Sequence, residues 1–196
     1  MPAAVPTDEI YERYLKKAIA EMNELGDELA RTGDELRVPV VGSGHPLADV
    51  FLLKYAPQPP EIQEGVAFFG RSGQALLKSL QRLRVDPMAV YGTNCLKLAR
   101  QDPEEARPWL ARELHIVGPK LLVAMGGRAV EFLNALEFPL SDPVDPKREG
   151  LQRFTGTIEA LVVPDIDAAL DEAPAKTAFW NAFKALGPWW AELPPY

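Results

Sequence analysis

The residues best suited to contact a ligand lie in one stretch of this sequence, between Lys54 and Arg100. An apolar run ends in a proline-rich loop, which leads to an aromatic pair and the turn GRSG at residues 70–73, and a second apolar run carries Asn94. A strand, a glycine-containing loop, a helix and a second strand form a βαβ unit. Such units bind ligands at the carboxyl ends of their strands, which is where these polar and aromatic residues fall.

The turn at residues 70–73 has the composition of a phosphate-binding helix start. Free backbone amides and the helix dipole favour an anion there, and Arg71 adds a positive charge. The alternative is that Ser72 simply caps the helix. We take Arg71, Ser72, Gly73 and Lys97 as candidate contacts to nucleic acid or phosphate.

The elements that would position these residues alternate along the chain. Helices are predicted at about residues 7–31, 72–84, 102–117, 127–136 and 174–186, and strands at about 49–55, 89–96 and 120–125, with one or two more in 151–164. Alternation of this kind predicts an α/β fold, with a mostly parallel sheet between two layers of helices. In the first helix Thr7 is the expected N-cap, with Ile10, Tyr14 and Leu25 among the residues of its buried face. The loop at 56–69 is long enough to be functional or disordered.

The composition predicts a single soluble domain. The chain has 196 residues, of which 47% are hydrophobic, and no apolar run approaches the roughly 20 residues that span a bilayer. The first residues are too acidic for a signal peptide, so we expect a cytoplasmic monomer with no membrane partner. One cysteine, Cys95, excludes an internal disulfide and an all-cysteine metal or cluster site, and two histidines argue against a histidine-rich metal site.

The charge of the chain is unevenly distributed. The formal net charge is -7, yet residues 69–100 hold six basic residues and one acid, a net +5. Residues 1–36 hold nine acids and four bases, a net −5. Such asymmetry marks either a side that faces an anion, DNA included, or ordinary solvated helix faces.

Three segments carry a family resemblance: GRSGQALLKSL, YGTN, and PKLLVAMGGRAVEFL. In this order and at this spacing they resemble the iron–sulfur uracil-DNA glycosylases, usually called family four, from about Val41 to Leu186. The resemblance implies one uracil-DNA glycosylase-like domain over 1–196 and a three-layer α/β/α sandwich. Enzymes of this kind extrude a base from DNA and hydrolyse its N-glycosidic bond.

The same resemblance gives roles to individual residues. Phe68 occupies the position that stacks on the base, and Asn94 the position whose amide reads the base edge, with Ala56 and Pro57 beside them. The alternatives are that Phe68 is a core aromatic next to Phe69, and that Asn94 binds loop backbone.

The sequence departs from the family at both catalytic motifs. The family's Gly-Glu-Ala-Pro-Gly stands here as KYAPQ, residues 54–58, so that Tyr55 replaces the catalytic carboxylate. Tyrosine is neutral near pH 7 and supplies no negative charge to a sugar cation. Asp167 falls nearest the family's histidine, where an ionised carboxylate would repel a departing base anion. Two cluster cysteines correspond to Leu98 and Ala106, so we expect no iron–sulfur cluster and a colourless protein.

Three functions remain open from the sequence. The first is a protein that binds nucleic acid, such as single-stranded or damaged DNA, or a nucleobase, with weak or no base excision. The second is an active glycosylase of altered base specificity or chemistry. The third is a non-enzymatic interaction protein, which a pocket filled by Tyr55 lying on Phe68 would favour. We expect Arg71→Ala to weaken DNA binding, and Tyr55→Glu with Asp167→His to raise uracil excision.

Overall fold

The structure is a computed structural model that describes residues 6–34 and 37–194. Its six strands are β1 (Ser43–Gly44), β2 (Val50–Lys54), β3 (Val90–Asn94), β4 (Leu121–Met125), β5 (Leu151–Arg153) and β6 (Glu159–Val163). They form one sheet in the order β1-β3-β2-β4-β6-β5. The four central strands are parallel, and the short edge strands β1 and β5 are antiparallel to their neighbours. The predicted α/β fold with a mostly parallel sheet is confirmed.

Eight α-helices are present in the described residues: α1 (Pro6–Thr32), α2 (Pro59–Glu64), α3 (Arg71–Arg82), α4 (Pro103–Val117), α5 (Gly127–Ala135), α6 (Ile166–Ala169), α7 (Ala173–Phe183) and α8 (Leu186–Glu192). Most of their buried residues join one of two apolar cores. One core holds residues of α4 and α5, and the other holds residues of α3, α7 and α8. Helices therefore cover both faces of the sheet.

The central strands explain this layering. All five residues of β2, β3 and β4 are buried, as expected for parallel strands covered on both sides. Successive side chains point to opposite faces, so Phe51 and Leu53 pack in the α4–α5 core while Val50 and Leu52 pack in the α3–α7 core. Lys54 continues the Val50–Leu52 face at the carboxyl end of β2.

The first helix departs from the prediction in its N-terminal half. Thr7 lies inside α1 rather than capping it, because the helix already includes Pro6. The expected buried face is buried only toward the C-terminal end, at residues such as Leu25, whereas Ile10 and Tyr14 are 55% and 61% exposed. Among the described elements, the helix packs mainly on α4.

Two other segments fold differently from the expectation. The loop at 56–69 contains α2, whose first two residues are prolines of the run that suggested an irregular segment. The single helix predicted near the C-terminus is two helices, α7 and α8, and the short α6 precedes them. No helix in the described part of the chain is both long and apolar enough to cross a membrane.

Candidate functional site

The carboxyl end of β2 places a lysine at the centre of the candidate site. The side chain of Lys54 is buried, and its ammonium group donates to the Glu61 carboxylate at 2.6 Å and to the Asp167 carboxylate at 3.0 Å. It also donates to the Ala56 carbonyl at 3.2 Å and lies 5.5 Å from the centroid of the Phe68 ring. The cation thus has two acidic partners and an aromatic face.

Glu61 connects this lysine to the segments around it. The residue lies in α2 and is fully buried. One carboxylate oxygen accepts from Lys54 and from the backbone amide of Gln58, both at 2.6 Å. The other accepts from the backbone amide of Phe68 at 2.6 Å and from the side-chain amide of Asn94 at 3.3 Å. Four donors therefore satisfy one carboxylate, which is what permits a charge to be buried here.

Phe68 is held in place by its backbone and by two glycines. Its φ of 58° is in the left-handed region, which a bulky residue adopts only where other contacts enforce it. Its ring rests on Gly92 of β3, where an added Cβ would come within 2.6 Å of the ring. Its carbonyl oxygen lies against Gly73, where an added Cβ would come within 1.8 Å. The glycine at position 73 therefore serves close packing of α3 on the Phe68 backbone.

Asn94 ends β3 next to Lys54, its registered neighbour on β2. The residue is fully buried and its side-chain amide donates to Glu61. Among the described residues, no donor bonds to its side-chain oxygen, Oδ1. An amide reads a base edge by donating and accepting together, and here the donating half is already engaged with a carboxylate.

Asp167 is the acidic group through which the network reaches the surface. It is the second residue of α6, and its side chain is 15% exposed. Burial raises the pKa of this carboxyl above its ordinary value, and the cation of Lys54 opposes that rise while Asp165 and Glu61 add to it. Asp167 thus pairs with a lysine inside the protein at the position where the resemblance expects a histidine.

Tyr55 points away from this network. It is half-buried against the α4–α5 core, and the guanidinium group of Arg128 lies 3.9 Å from the centroid of its ring. Ala56 also packs against that core, and Pro57 is half-buried beside it. The group that lies over the Phe68 ring is therefore the Lys54 ammonium, whereas the sequence suggests the Tyr55 ring.

The candidate phosphate contacts at the start of α3 differ in their exposure. Arg71 is exposed and donates to the Asp171 carboxylate at 3.0 Å. Ser72 and Gly73 are buried, and the N-cap of the helix is Gly70 rather than Ser72. Arg71 alone of these offers a charged group to an external anion.

Lys97 lies in a second buried network, on the α4 side of the sheet. Its ammonium group donates at 2.6 Å to the Glu113 carboxylate, to the Thr93 hydroxyl and to the Asn94 carbonyl. Glu113 also accepts from the hydroxyls of Tyr91 and Thr93. Lys97 has no exposed surface, so a contact between this residue and DNA would require the network to open. Burial and the neighbouring Glu113 raise the pKa of Tyr91 well above its ordinary value.

Comparison with known proteins identifies the family. The family model described as the uracil DNA glycosylase superfamily matches residues 41–186, which is most of the chain and includes every strand. The chain belongs to the uracil-DNA glycosylase superfamily. The strand-end network built on Lys54 lies within the matched residues.

Three curated relatives are similar to this chain, each named a type-4 uracil-DNA glycosylase. The protein from Archaeoglobus fulgidus is 26% identical over 159 residues, covering 76% of this chain and 80% of the relative. The protein from Sulfurisphaera tokodaii is 30% identical over 103 residues, and that from Pyrobaculum aerophilum 30% over 95. These two alignments cover 48% and 44% of this chain, and about half of each relative, 47% and 48%. The resemblance to family four is thereby confirmed.

The residues present do not fit the iron–sulfur cluster that the resemblance associates with the family. Leu98 and Ala106, at two of the expected ligand positions, are buried apolar residues. Cys95 is buried as well, and burial raises the pKa of its thiol, whereas a cluster needs thiolates. Within the described residues, no group of three or more histidine, cysteine, aspartate or glutamate side chains is placed to hold a metal ion.

Two residues of the site escaped the sequence analysis. Lys54 was noted only as the first residue of an altered motif, and Glu61 was not singled out. A signal was present, because a lysine at the end of an otherwise apolar strand must find a buried acidic partner. Glu61, seven residues further on within the adjoining loop, is the first acid that follows Lys54 in the sequence.

Proposed function

We propose that this chain is a uracil-DNA glycosylase-like protein that binds nucleic acid, or a nucleobase, with weak or no base excision. The observation that carries the weak or absent excision is the ammonium group of Lys54 over the face of Phe68. A base stacked on Phe68 would need that position. Two carboxylates hold the cation there, so the base would have to displace a paired charge from a buried site.

The remaining groups add little to hydrolysis. Cleavage of the N-glycosidic bond needs negative charge near the sugar cation and a positive or donating group near the departing base. Tyr55 packs against Arg128, which places a cation beside the position expected to be acidic. Asp167 is committed to Lys54. The groups that would stack on a base and read its edge, Phe68 and Asn94, would bind the ground state and the transition state equally well. Such binding does not speed the chemical step.

A non-enzymatic interaction protein is the second candidate. The filled site favours it, because a protein that no longer admits a base has no need of the excision chemistry. The overall acidic charge, -7, also favours it, since a nucleic acid would be repelled by much of the surface. An active glycosylase of altered specificity would need Lys54 to move out of the site.

One experiment separates the three functions. Fluorescently labelled oligonucleotides, single-stranded and duplex, each carrying thymine, uracil, hypoxanthine or an abasic site at one position, are mixed with the protein at low ionic strength. Binding is followed by anisotropy, and base release by strand cleavage after alkali. We expect binding with little or no release. Robust release of any base would establish the active enzyme instead, and absence of binding to every probe would leave the interaction protein.

A further inference from the structure

A groove between α3 and α7 lies on the side of the sheet that also holds Phe68. Its volume is about 540 Å³. Four basic residues line it, three from α3 and one from α7: Arg71, Lys78, Arg82 and Lys176. All four are exposed, and no carboxylate is among the residues lining it. We call this the basic groove. It gathers positive charge on a protein whose net charge is negative.

The charges on α3 form one row. Lys78 lies seven residues after Arg71, and Arg82 four residues after Lys78, spacings that place all three on one face of the helix. At the helical rise the row is roughly 16 Å long. Lys176 stands on the opposite wall. A linear polyanion lying between the helices would meet a cation at successive points along its path.

These cations remain available to a ligand. In the described part of the chain, Lys78, Arg82 and Lys176 form no ion pair with a carboxylate. Arg82 is instead held by an aromatic ring, its guanidinium carbon 4.1 Å from the centroid of Trp180. A π face orients the guanidinium without neutralising it. Arg71 does pair with Asp171, but both side chains are 69% exposed, and an exposed pair of this kind is weak enough to exchange for another anion.

The groove begins beside the strand-end site. Ile166, the first residue of α6, and Leu170, which follows its last residue, line one part of it. Asp167, the residue after Ile166, holds Lys54. Arg71 bonds to the Leu170 carbonyl as well as to Asp171. A strand positioned at the site would therefore enter the groove at Arg71 and continue along α3 toward Trp180.

From this geometry we infer that the basic groove binds the sugar–phosphate backbone of single-stranded nucleic acid. The inference rests on the proposed function, and it assigns the binding to a surface separate from the filled base site. A single strand fits because cations stand on both walls of the groove, where a duplex would contact only the rims. The Arg82 guanidinium over the Trp180 ring adds a cation–π pair against which a base can stack without sequence preference.

The test uses the whole protein, a labelled oligo-thymidine and a matched pair of double variants. Lys78→Ala with Arg82→Ala removes two cations from the groove. Arg13→Ala with Lys16→Ala removes the same two residue types from the exposed face of α1, whose described neighbour is α4. Binding is measured by anisotropy at several salt concentrations. Each phosphate contact of a single strand contributes about 0.7 to the slope of log K against log salt.

We expect the groove variant to bind at least about tenfold more weakly and its salt slope to fall by about 1.4, with the α1 variant unchanged. Quenching of tryptophan emission by the oligonucleotide should also be reduced in Trp180→Phe. If both double variants lost affinity equally, or if neither lost affinity while the wild type bound, the basic groove would not be the binding surface. DNA binding itself would still stand. Equal affinity for duplex would overturn the single-strand assignment. Binding of polyglutamate but no oligonucleotide would overturn both the groove's ligand and the proposed function.

Discussion

The ammonium nitrogen of Lys54 lies 5.5 Å from the centroid of the Phe68 ring and 2.6 Å from a Glu61 carboxylate oxygen whose carboxyl group also binds the Phe68 amide. The same acidic residue thus positions the aromatic ring and the cation that covers it. The ring and the ammonium group that covers it therefore cannot be changed independently.

Replacing Lys54 with methionine should destabilise the protein strongly. The change keeps an unbranched side chain but leaves Glu61 and Asp167 without their cation, and breaking a buried pair in this way typically costs about 3–5 kcal/mol. The matched control is Lys78→Met, which alters an exposed lysine for which the described residues show no carboxylate partner. Its free energy of unfolding should stay within about 0.5 kcal/mol of the wild-type value. Urea unfolding measures both. Equal stability of the two variants would show that the ion pair contributes nothing.

Restoring uracil excision should require three changes rather than the two suggested by the sequence. Tyr55→Glu with Asp167→His supplies the missing groups but leaves Lys54 over Phe68. Adding Lys54→Gly, the family residue, opens that space. Each restored electrostatic group is worth about 10²–10³-fold in rate, but only where a base can stack on Phe68 beside it. Because only the triple variant has that space, its rate should exceed that of the double by a clear margin in a single-turnover assay.

The control for this experiment adds Phe68→Ala to the triple variant, which removes the stacking surface and should abolish the gain. Thermal unfolding of each variant must accompany the rates, because Lys54→Gly also removes the partner of Glu61. A double variant as active as the triple would mean that Lys54 leaves the site unaided.

Gly92→Ala should displace the Phe68 ring. The new methyl group would lie 2.6 Å and 2.8 Å from two ring atoms, and overpacking of a buried site costs about 1–3 kcal/mol. Gly127→Ala is the matched control, since nothing lies within 4 Å of the added carbon at that helix start. Unfolding free energies and the near-ultraviolet circular dichroism spectrum report the change. A Gly92→Ala protein as stable as the control would contradict the placement of Phe68.

Asp167 should make stability depend on pH in a definite direction. Burial raises the pKa of its carboxyl in the folded state, so the folded protein holds this proton more tightly than the unfolded chain. The stability that this carboxyl contributes is fully present below its ordinary, unfolded-state pKa. That contribution is lost as the pH rises through the raised pKa of the folded state. The unfolding free energy of the wild type minus that of Asp167→Asn should therefore fall as the pH rises from about 4 to 7. If this difference grew with pH instead, the Lys54 cation would lower the pKa of Asp167 by more than burial raises it.

The fold could be predicted from the sequence because its signals are local. Apolar runs such as LLVAM mark buried strands, and Asp102 followed by Pro103 marks a helix start that the structure confirms, with the Asp102 carboxylate accepting from the Glu104 amide. The helix α2 was missed because two prolines suggested an irregular loop, although proline is favoured in the first turn of a helix. The exposed start of α1 could not be foreseen, since the periodic pattern of Ile10 and Tyr14 does not say whether a neighbouring element reaches them.

The site was predictable in its location but not in its contacts. The βαβ order accounts for Asn94 at the end of β3 and for Phe68 in the segment that joins β2 to α3. The pairing of Lys54 with Asp167 joins residues 113 positions apart, and no local pattern encodes it. Lys97 shows the same limit, because its basic side chain suggested a surface contact while its partner Glu113 lies on a different element.

The four bonds to Glu61 also bear on how this protein could change over evolutionary time. A lineage that lost Lys54 first would bury the Glu61 carboxylate without a cation, and one that lost Glu61 first would leave Lys54 with Asp167 as its one acidic partner and remove the acceptor of the Phe68 amide. Both single steps pass through a protein that folds poorly, and marginal stability in a cell quickly becomes low abundance. Lys54 and Glu61 are therefore interdependent positions: a change that opened the space over Phe68 would need both residues to be replaced together.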